Sequence, residues 1–394
     1  MERRKKMKKK LIIVFTLSLI TIATVYLVGI AAEYTPGQAL KAGFIYDSPV
    51  GDYAWNYAHD QARLATAGVF PWLETAYVEN VRETDVQTYI DQLVRQGCQV
   101  IFADSIAYQD GVLAAARRYP EVIFGLCNGF KNAPNVATYW ITLDPLFYIN
   151  GLMAGVLTET NKVGFVLPHP IPEIKRALIA FTRGVQEVNS EAVVDGRWTY
   201  EWYNPPAEKE ATEALIGSGC DVIIHDMSSS TPVQVAGSQG IATFSHCSPM
   251  LDFAPDYVVS GHLVHYEVIY EDFLAKVYAG LYTSHNLEKV KYWWSMPQGG
   301  LELGGTYGVP INPLFEEEFK TAKVTDPVLG EMSIYDLIFT RLEQMADPQM
   351  AFCPFDGPLY DNQGNLRVPA SIRLTKEEQE VLDWYPAGYI GPTP

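Results

Sequence analysis

The chain has few cysteines, and none of them lies in a pattern that binds metal or exchanges disulfides. All five are separated by more than two residues, so the CxxC pair of zinc sites and thiol oxidoreductases is absent. Cys98 in "RQGCQVIF" and Cys220 in "GSGCDVII" stand just before apolar runs. We therefore predict buried free thiols and no metal site.

Motifs that hold phosphate groups or carry nucleophiles are also missing. A dinucleotide site needs GxGxxG after the first strand, because only glycine lets the backbone approach a pyrophosphate. The first such turn is "YDSPVGDYAWN", with one glycine and a tryptophan, and the second is "LPHPIPEIKR", with three prolines. No P-loop, GxSxG or HExxH motif occurs. These absences argue against NAD, FAD and ATP, and we expect neither a cofactor nor catalytic residues.

Positive charge is scarce beyond the first ten residues. The chain has 46 acidic and 29 basic residues, a net charge of −17, and seven of the basic residues stand in "MERRKKMKKK". A surface this acidic repels nucleic acid and anionic lipid. We expect neither as a partner.

An uncharged run follows the basic cluster. Residues 11–32, "LIIVFTLSLITIATVYLVGIAA", are long enough to cross a bilayer and also suit a secretory signal peptide. The basic residues hold the N-terminus inside the cell. We predict that residues 1–32 are a signal peptide or a membrane anchor, and that the rest is exported to the periplasm or the cell surface.

The sequence repeats itself at an offset of about 121 residues. The segment "KAGFIYDSP" from Lys41 matches "KVGFVLPHP" from Lys162, and "LVRQGCQVIFADS" matches "LIGSGCDVIIHDM". A third segment, "EVIFGLCNG", resembles "IATFSHCSP". Three matches at one spacing indicate two copies of one structural unit.

Each copy reads as strand, helix, strand, helix, strand. The strands are short apolar runs such as "QVIFA" and "DVIIH", typical of a parallel sheet covered on both faces. The pattern predicts an α/β protein with two doubly wound parallel-sheet lobes. We place the first lobe at residues 38–158, and its C-terminal part contains segments that cross between the lobes. The second lobe is placed at residues 159–286, and residues 287–394 are predicted to form a C-terminal extension that packs on the lobes. Within the extension we predict a hairpin that turns at "QGN" and helices beginning near Ser333 and Thr375.

Open parallel sheets bind ligands at the carboxyl ends of their strands. The segment "GDYAWNYAHDQAR" places Trp55 and Asn56 at such an end, and "TYEWYNPPAEKEA" places Trp202 and Asn204 there in the second copy. Two aromatic rings, one per lobe, can stack on a planar ligand when the lobes close, while amides read its edge. The alternative is that both tryptophans are ordinary packing residues.

Two features near these turns have structural as well as functional interpretations. His59 either faces a ligand or packs on the first turn of its helix, and we favour packing. Glu173 and Arg176 open the first helix of the second copy, three positions apart. That spacing predicts an exposed ion pair.

These segments resemble the basic membrane protein family, the purine-nucleoside-receptor-like substrate-binding proteins of ABC transporters. The resemblance runs from about Lys41 to Gly391 and is carried by "GDYAWNYAHDQAR", "GCQVIFADSIAYQD", "NVATY", "PIPEIKRALIAFTRG", "GCDVIIHD" and "GPLYDNQGNLRVPA…LDWYPAGYIG". It implies the type I periplasmic-binding-protein fold, in which two lobes joined by a hinge close on a ligand.

The resemblance also implies which residues bind the ligand. The family motif after the first strand supplies a stacking aromatic, which falls on Trp55 in place of the more usual phenylalanine, and an asparagine, which falls on Asn56. A second aromatic falls on Trp202, and strand-end loops supply polar groups. The implied ligand-binding residues are Asp52, Trp55, Asn56, Ser105, Tyr108, Trp202, Asn204, Asp226 and Ser228.

The resemblance implies a monomeric extracytoplasmic receptor that captures an adenine-like purine base or a nucleoside and delivers it to an ABC permease. Two alternatives stay open: a sensor for a signalling partner, and a receptor for another flat heterocycle such as a flavin. A nucleoside hydrolase is disfavoured, because the sequence contains no cluster of catalytic carboxylates.

Overall fold

The computed structural model describes residues 33–349 and 351–394, so the predicted signal peptide or anchor lies outside the described residues. The described chain forms two compact units. The first contains the residues up to Ile45, 70–138 and 275–290, and the second contains 46–69, 139–274 and 291–394. The helix after the first strand thus belongs to the second unit, and the lobe boundaries given above stay predictions.

The first unit is built on a parallel sheet. The elements from residue 40 to 141 are β1 (Leu40–Ile45), α1 (Trp55–Val69), β2 (Leu73–Val78), α2 (Val86–Arg95), β3 (Val100–Ala103), α3 (Gln109–Arg118), β4 (Ile123–Cys127) and β5 (Val136–Ile141). Of these, α1 and the last three residues of β5 belong to the second unit. β1 pairs in parallel with β2 and β3, and β3 with β4. The central strands are buried along their length, because α2 and α3 cover them with apolar side chains such as Ile90 and Val112.

The second unit contains a sheet of the same kind. Its elements up to residue 278, where α8 crosses the unit boundary, are α4 (Asp144–Leu157), β6 (Lys162–Leu167), α5 (Pro172–Val188), β7 (Val193–Trp198), α6 (Pro205–Gly217), β8 (Val222–His225), α7 (Thr231–Ser238), β9 (Ala242–Cys247), β10 (Val258–Val264) and α8 (Glu267–Tyr278). β6 pairs in parallel with β7 and β8, and β9 pairs in parallel with β8 and β10.

The two sheets share one strand order. Neighbouring strands run β2-β1-β3-β4-β5 in the first and β7-β6-β8-β9-β10 in the second. In each, the first strand of the copy lies second from the edge, which is a doubly wound arrangement. The internal repeat and the α/β fold class predicted from it are therefore confirmed.

Helices α4 and α5 of the second unit pack closely because glycines stand where they cross. A Cβ added to Gly151 of α4 would overlap the carbonyl oxygen of Phe181, and one added to Gly184 of α5 would overlap that of Tyr148. Only glycine allows two helix backbones to approach so closely. Residues 144–155 of α4 are all buried.

The C-terminal segment belongs to the second unit. Its elements are β11 (Lys291–Trp294), β12 (Leu301–Leu303), α9 (Pro313–Thr321), β13 (Lys323–Asp326), β14 (Gly330–Ser333), α10 (Ile334–Ala346), β15 (Leu359–Tyr360), β16 (Leu366–Val368) and α11 (Lys376–Gln379). β15 and β16 form the predicted hairpin, and Ser333 and Thr375 cap the two predicted helices. Arg183 of α5 holds this segment by donating to the carbonyl oxygens of Pro354 (2.8 Å) and Asp356 (2.6 Å).

All five cysteines are buried, and none forms a disulfide in the described residues, so the thiol prediction is confirmed. Within residues 33–349 and 351–394, no helix combines the length and the hydropathy needed to cross a bilayer.

Candidate functional site

The carboxylate of Asp52 caps the N-terminus of α1. It accepts hydrogen bonds from the backbone N–H groups of Ala54 (2.8 Å), Asn56 (2.9 Å) and Tyr57 (3.0 Å), which have no partners inside the helix. The residue is only 2% exposed. Burial raises the pKa of Asp52 to about 6, and these hydrogen bonds act against the rise.

The side chain of Asn56 is held in one orientation. Its Nδ2 donates to Asp52 Oδ2 (2.9 Å) and to Asp47 Oδ1 (3.2 Å). Both partners are carboxylate oxygens, so the group that faces them must be the donating NH2. The other atom, Oδ1, is buried and has no hydrogen-bond partner among the described residues. Asn56 therefore presents a fixed acceptor.

Four aromatic side chains of the second unit form a cluster that we call the aromatic box: Trp55, His59, Trp140 and Tyr266. The ring of Trp55 lies 4.8 Å from His59, 5.5 Å from Tyr266 and 5.6 Å from Trp140, measured between centroids. His59 stacks on Tyr266 at 3.7 Å and 15°. Trp55 is half-buried, whereas the other three are buried. Trp55 meets His59 and Tyr266 at 68° and 76°, so its own half-buried ring is the aromatic face that the box offers to a planar ligand.

A chain of hydroxyl groups fixes His59 inside the box. Its Nδ1 lies 2.6 Å from the hydroxyl oxygen of Tyr270, which lies 3.4 Å from the hydroxyl of Tyr139. Burial lowers the pKa of His59 well below its ordinary value, so the imidazole is neutral. His59 contacts Trp55 of its own helix and Tyr266, and its Nε2 is buried and has no partner among the described residues, so the choice between packing and ligand contact stays a prediction.

The second predicted segment, around Trp202, is organised by a helix cap. Asn204 Oδ1 accepts from the N–H of Ala207 (3.1 Å) at the start of α6, and its Nδ2 donates to Glu201 (3.0 Å). The buried carboxylate of Glu208 accepts from the backbone N–H of Asn204 (2.9 Å). Both ends of the Asn204 amide are thus occupied, and its observed role is to position the turn.

Trp202 itself is half-buried at this turn. Its ring lies 5.1 Å from that of His169, and its carbonyl oxygen accepts from the N–H of Ser228 (2.9 Å). Asp226, at the end of β8, lies 3.4 Å from Nε2 of His246. Burial raises the pKa of Asp226 well above its ordinary value. The structure therefore brings Trp202, Asp226 and Ser228 to one end of the second sheet.

Electrostatics connect the two segments. Burial raises the pKa of Tyr203 and of Glu208, and the negative charge of Asp52 raises both further. A charge acts on another group this way only when the two lie near one another. The cap of α1 and the turn at 202–204 thus belong to one region of the second unit.

Two predicted ligand residues lie in the first unit. Ser105 is buried just beyond β3, and Tyr108 belongs to the apolar core of that unit. The hydroxyl of Tyr108 donates to the carbonyl oxygen of Val81. Their contact with a ligand stays a prediction.

A cleft of about 560 Å³ runs along α1 in the second unit. One wall carries His265, whose ring nitrogens lie 2.7 Å from Glu267 and 3.0 Å from Glu302. The hydrogen bond to Glu267, with the nearby negative charge, raises the pKa of His265. Small side chains of the helix line the other wall, namely Ala58, Ala62 and Ala65.

One sequence prediction in this region is wrong. The spacing from Glu173 predicted an exposed arginine, but Arg176 is 3% exposed and its Nε donates to Asp144 of α4 (3.3 Å). Its Nη1 donates to the carbonyl oxygen of Gln379 (3.2 Å). The spacing along one helix is a local signal, whereas the packing of α4 against α5 buries Arg176 next to Asp144.

Sequence reasoning missed three members of this region: Trp140, Tyr266 and Tyr270. Trp140 lies near the end of β5, and the two tyrosines lie at the start of α8. An aromatic next to a strand end was the only signal that could have found them. Trp55 was predicted, and its ring lies within 5.6 Å of those of Trp140 and Tyr266.

The family model for PnrA-like ABC transporter substrate-binding proteins matches residues 39–304. Among curated relatives, a putative ABC transporter glucose-binding protein of Haloferax volcanii is 33% identical over 268 residues, which are 68% of this chain and 66% of that protein. A purine-binding protein of Brucella abortus is 29% identical over 373 residues, which are 93% of this chain and 97% of that protein.

A solved ABC transporter solute-binding protein of Aeropyrum pernix K1 has the same fold. It superposes with a TM-score of 0.64 at 16% identity and covers 79% of this chain and 92% of its own. The type I solute-binding architecture expected from the sequence is therefore confirmed.

Proposed function

The chain belongs to the PnrA-like family of ABC transporter substrate-binding proteins, and from this premise we propose that it captures a purine base or nucleoside outside the cytoplasm for delivery to an ABC permease. Members of this family bind a small molecule and present it to a membrane transporter. The ligand, the monomeric state and the site residues are the parts that we propose.

The observation that carries the proposal is the aromatic box beside a fixed, buried acceptor. Trp55 offers a half-exposed ring, and Asn56 Oδ1 stands next to it without a partner among the described residues. A purine has two flat faces for stacking and N–H groups on its edge that such an oxygen can accept from. An aliphatic ligand would use neither feature.

The remaining predicted residues take two kinds of role in the proposal. Trp202, Asp226 and Ser228 are proposed to contact the ligand from the end of the second sheet, and for Ser105 and Tyr108 a ligand contact stays a prediction. Asp52 and Asn204 act as helix caps that orient the neighbouring side chains. The caps explain why polar residues surround both tryptophans.

The names of the relatives give one competing ligand. The Brucella relative is named a purine-binding protein and matches this chain over nearly its full length. The Haloferax relative is named a putative glucose-binding protein. Sugars also stack on aromatic rings, so glucose must be tested beside the purines.

Calorimetric titration of the full chain tests the proposal. Adenine, guanine, hypoxanthine, adenosine, inosine, riboflavin and glucose are each titrated into wild type, Trp55→Ala and a control, Trp198→Ala. Trp198 is a good control because its Nε1 donates to the carbonyl of Pro392 (2.9 Å) in the C-terminal segment. We expect one purine to bind with a Kd of about 1 μM or lower, with Trp55→Ala weakening it about 10- to 100-fold.

Three results would contradict the proposal. Folded wild type that binds glucose or riboflavin but no purine has another ligand. Equal affinities in Trp55→Ala and Trp198→Ala would remove Trp55 from the site. Release of free hypoxanthine from inosine during incubation would show a hydrolase. Uptake of the bound purine by vesicles that contain the cognate permease separates transport from sensing.

A further inference from the structure

Two buried ring nitrogens of the aromatic box have no hydrogen-bond partner among the described residues. Trp140 is 4% exposed and His59 is 0% exposed, yet neither Nε1 of Trp140 nor Nε2 of His59 has a hydrogen-bond partner among the described residues. Buried polar atoms are almost always paired, so an exception calls for a partner. Both rings lie within 5.6 Å of Trp55.

The hydrogen bond from Tyr270 decides which tautomer His59 adopts. A phenol O–H is more acidic than the N–H of a neutral imidazole, and an imidazole nitrogen is the stronger acceptor. On this ground we assign the Tyr270 hydroxyl as the donor to Nδ1 across their 2.6 Å separation. With Nδ1 accepting, the ring proton stands on Nε2. His59 thus offers a donor.

Asn56 adds the complementary group. Its NH2 is committed to the carboxylates of Asp52 and Asp47, so its Oδ1 accepts. Around Trp55 the protein therefore presents two donors and one acceptor: the N–H groups of Trp140 and His59, and the Asn56 oxygen.

We propose that Trp140 and His59 are specificity-determining residues that donate hydrogen bonds to two acceptors on the edge of the ligand, while Asn56 accepts from one donor between or beside them. This inference rests on the proposed function and narrows it to an unsubstituted purine edge. Adenine fits with N1 and N7 as acceptors and its 6-amino group as donor, and hypoxanthine fits with N7, O6 and N1–H. N6,N6-dimethyladenine and 1-methylhypoxanthine lack the donor.

The test combines protein variants with ligands that lack one acceptor. Full-length wild type, Trp140→Phe, His59→Phe and the control Trp198→Phe are titrated with adenine, 1-deazaadenine and 7-deazaadenine, and with hypoxanthine and 7-deazahypoxanthine. Each deaza analogue replaces one ring nitrogen by C–H and keeps the flat shape. Thermal melting of every variant shows that it is folded.

We expect Trp140→Phe and His59→Phe each to weaken binding about 10- to 100-fold, because a buried acceptor on the ligand then loses its donor. Trp198→Phe should bind as wild type does. The deaza analogues should bind wild type about 10- to 100-fold more weakly as well. One deaza analogue should bind Trp140→Phe no more weakly than it binds wild type, and another should do the same with His59→Phe. In each case the variant lacks the donor and the analogue lacks the acceptor of the same hydrogen bond, so the second change costs no further affinity.

Different results would overturn this inference and the proposed function. Purine binding by wild type that stays within about 3-fold in both phenylalanine variants overturns this inference and leaves the proposed function intact. Variants that lose the same factor for every analogue also overturn it, since that pattern indicates a packing role. If His59→Phe does not fold, the deaza series on wild type decides: equal affinities for the parent and deaza purines overturn the inference. A wild type that binds no purine overturns the proposed function and the inference with it.

Discussion

Replacing Asn56 by aspartate tests the amide orientation on which the proposed ligand site depends. The substitution keeps the shape of the side chain but turns the donating NH2 into an oxygen. That oxygen would face Asp52 Oδ2 and Asp47 Oδ1, which now lie 2.9 and 3.2 Å from Nδ2. Asn56→Asp therefore loses two hydrogen bonds and places a third carboxyl group beside two others.

The size of the effect follows from the cheapest way to relieve this repulsion, which is to protonate Asp52, because burial already raises the pKa of that carboxyl group to about 6. Keeping Asp52 protonated at pH 7 costs about 1.4 kcal/mol, whereas at pH 5 the group is already protonated. The loss of stability is therefore small at pH 5 and grows as the pH rises through about 6.

Urea unfolding of wild type, Asn56→Asp and Asn204→Asp at pH 5 and pH 7 measures this difference. Asn204 is the matched control, since its Nδ2 faces one exposed carboxylate, that of Glu201, and its Oδ1 accepts from the helix N–H of Ala207 as an aspartate oxygen can. We expect Asn204→Asp to change the free energy of unfolding by only about 0.5 kcal/mol at either pH. Equal losses in the two variants, or a loss in Asn56→Asp that does not depend on pH, would refute the assigned orientation.

Three further predictions concern stability. Gly151→Ala should lower the free energy of unfolding by about 3 kcal/mol, because the new methyl group meets the Phe181 carbonyl. Gly217 has open space around it, so Gly217→Ala should raise the free energy of unfolding by about 0.5–1 kcal/mol. The midpoints of urea unfolding check both. His265→Gln should cost more stability near pH 6 than near pH 9: the raised folded pKa gives wild type a contribution that is complete below about pH 6.5 and lost at higher pH, so equal costs at both would contradict it. Arg176→Leu should lose about 3–5 kcal/mol by leaving its buried carboxylate partner uncompensated, and a loss below 1 kcal/mol would show that the pair is dispensable.

The fold was predictable because its signals are local and repeated. Uniformly apolar strands and glycine-terminated helices recur at one offset, and a doubly wound sheet follows from that order. The same reasoning predicted Trp55 and Asn56 as candidate residues, since both open the helix that follows β1. Ser333 and Thr375 were found as helix starts because capping is also a local property.

The contacts that could not be predicted from the sequence join residues that are distant along the chain. Arg176 pairs with a carboxylate 32 positions away, and no helix spacing encodes that contact. His59 meets Tyr270 across 211 positions. Trp140 and Tyr266 look like core residues in sequence, and they are buried like core residues. Their connection to the site becomes visible only when ring distances and unsatisfied polar atoms are known.

The placement of a tryptophan at the mouth of a helix now has a physical reason. A carboxylate at position 52 caps the helix and, one turn later, holds the amide of Asn56, so one buried group sets both the start of α1 and the direction of its acceptor. Trp55 lies in that same first turn, before the helix has backbone hydrogen bonds of its own to anchor it. Its contacts with His59, Trp140 and Tyr266 supply the anchoring. A smaller apolar residue at position 55 would pack as well. It would leave no half-exposed ring next to the fixed acceptor, and a planar ligand with an N–H edge requires both groups.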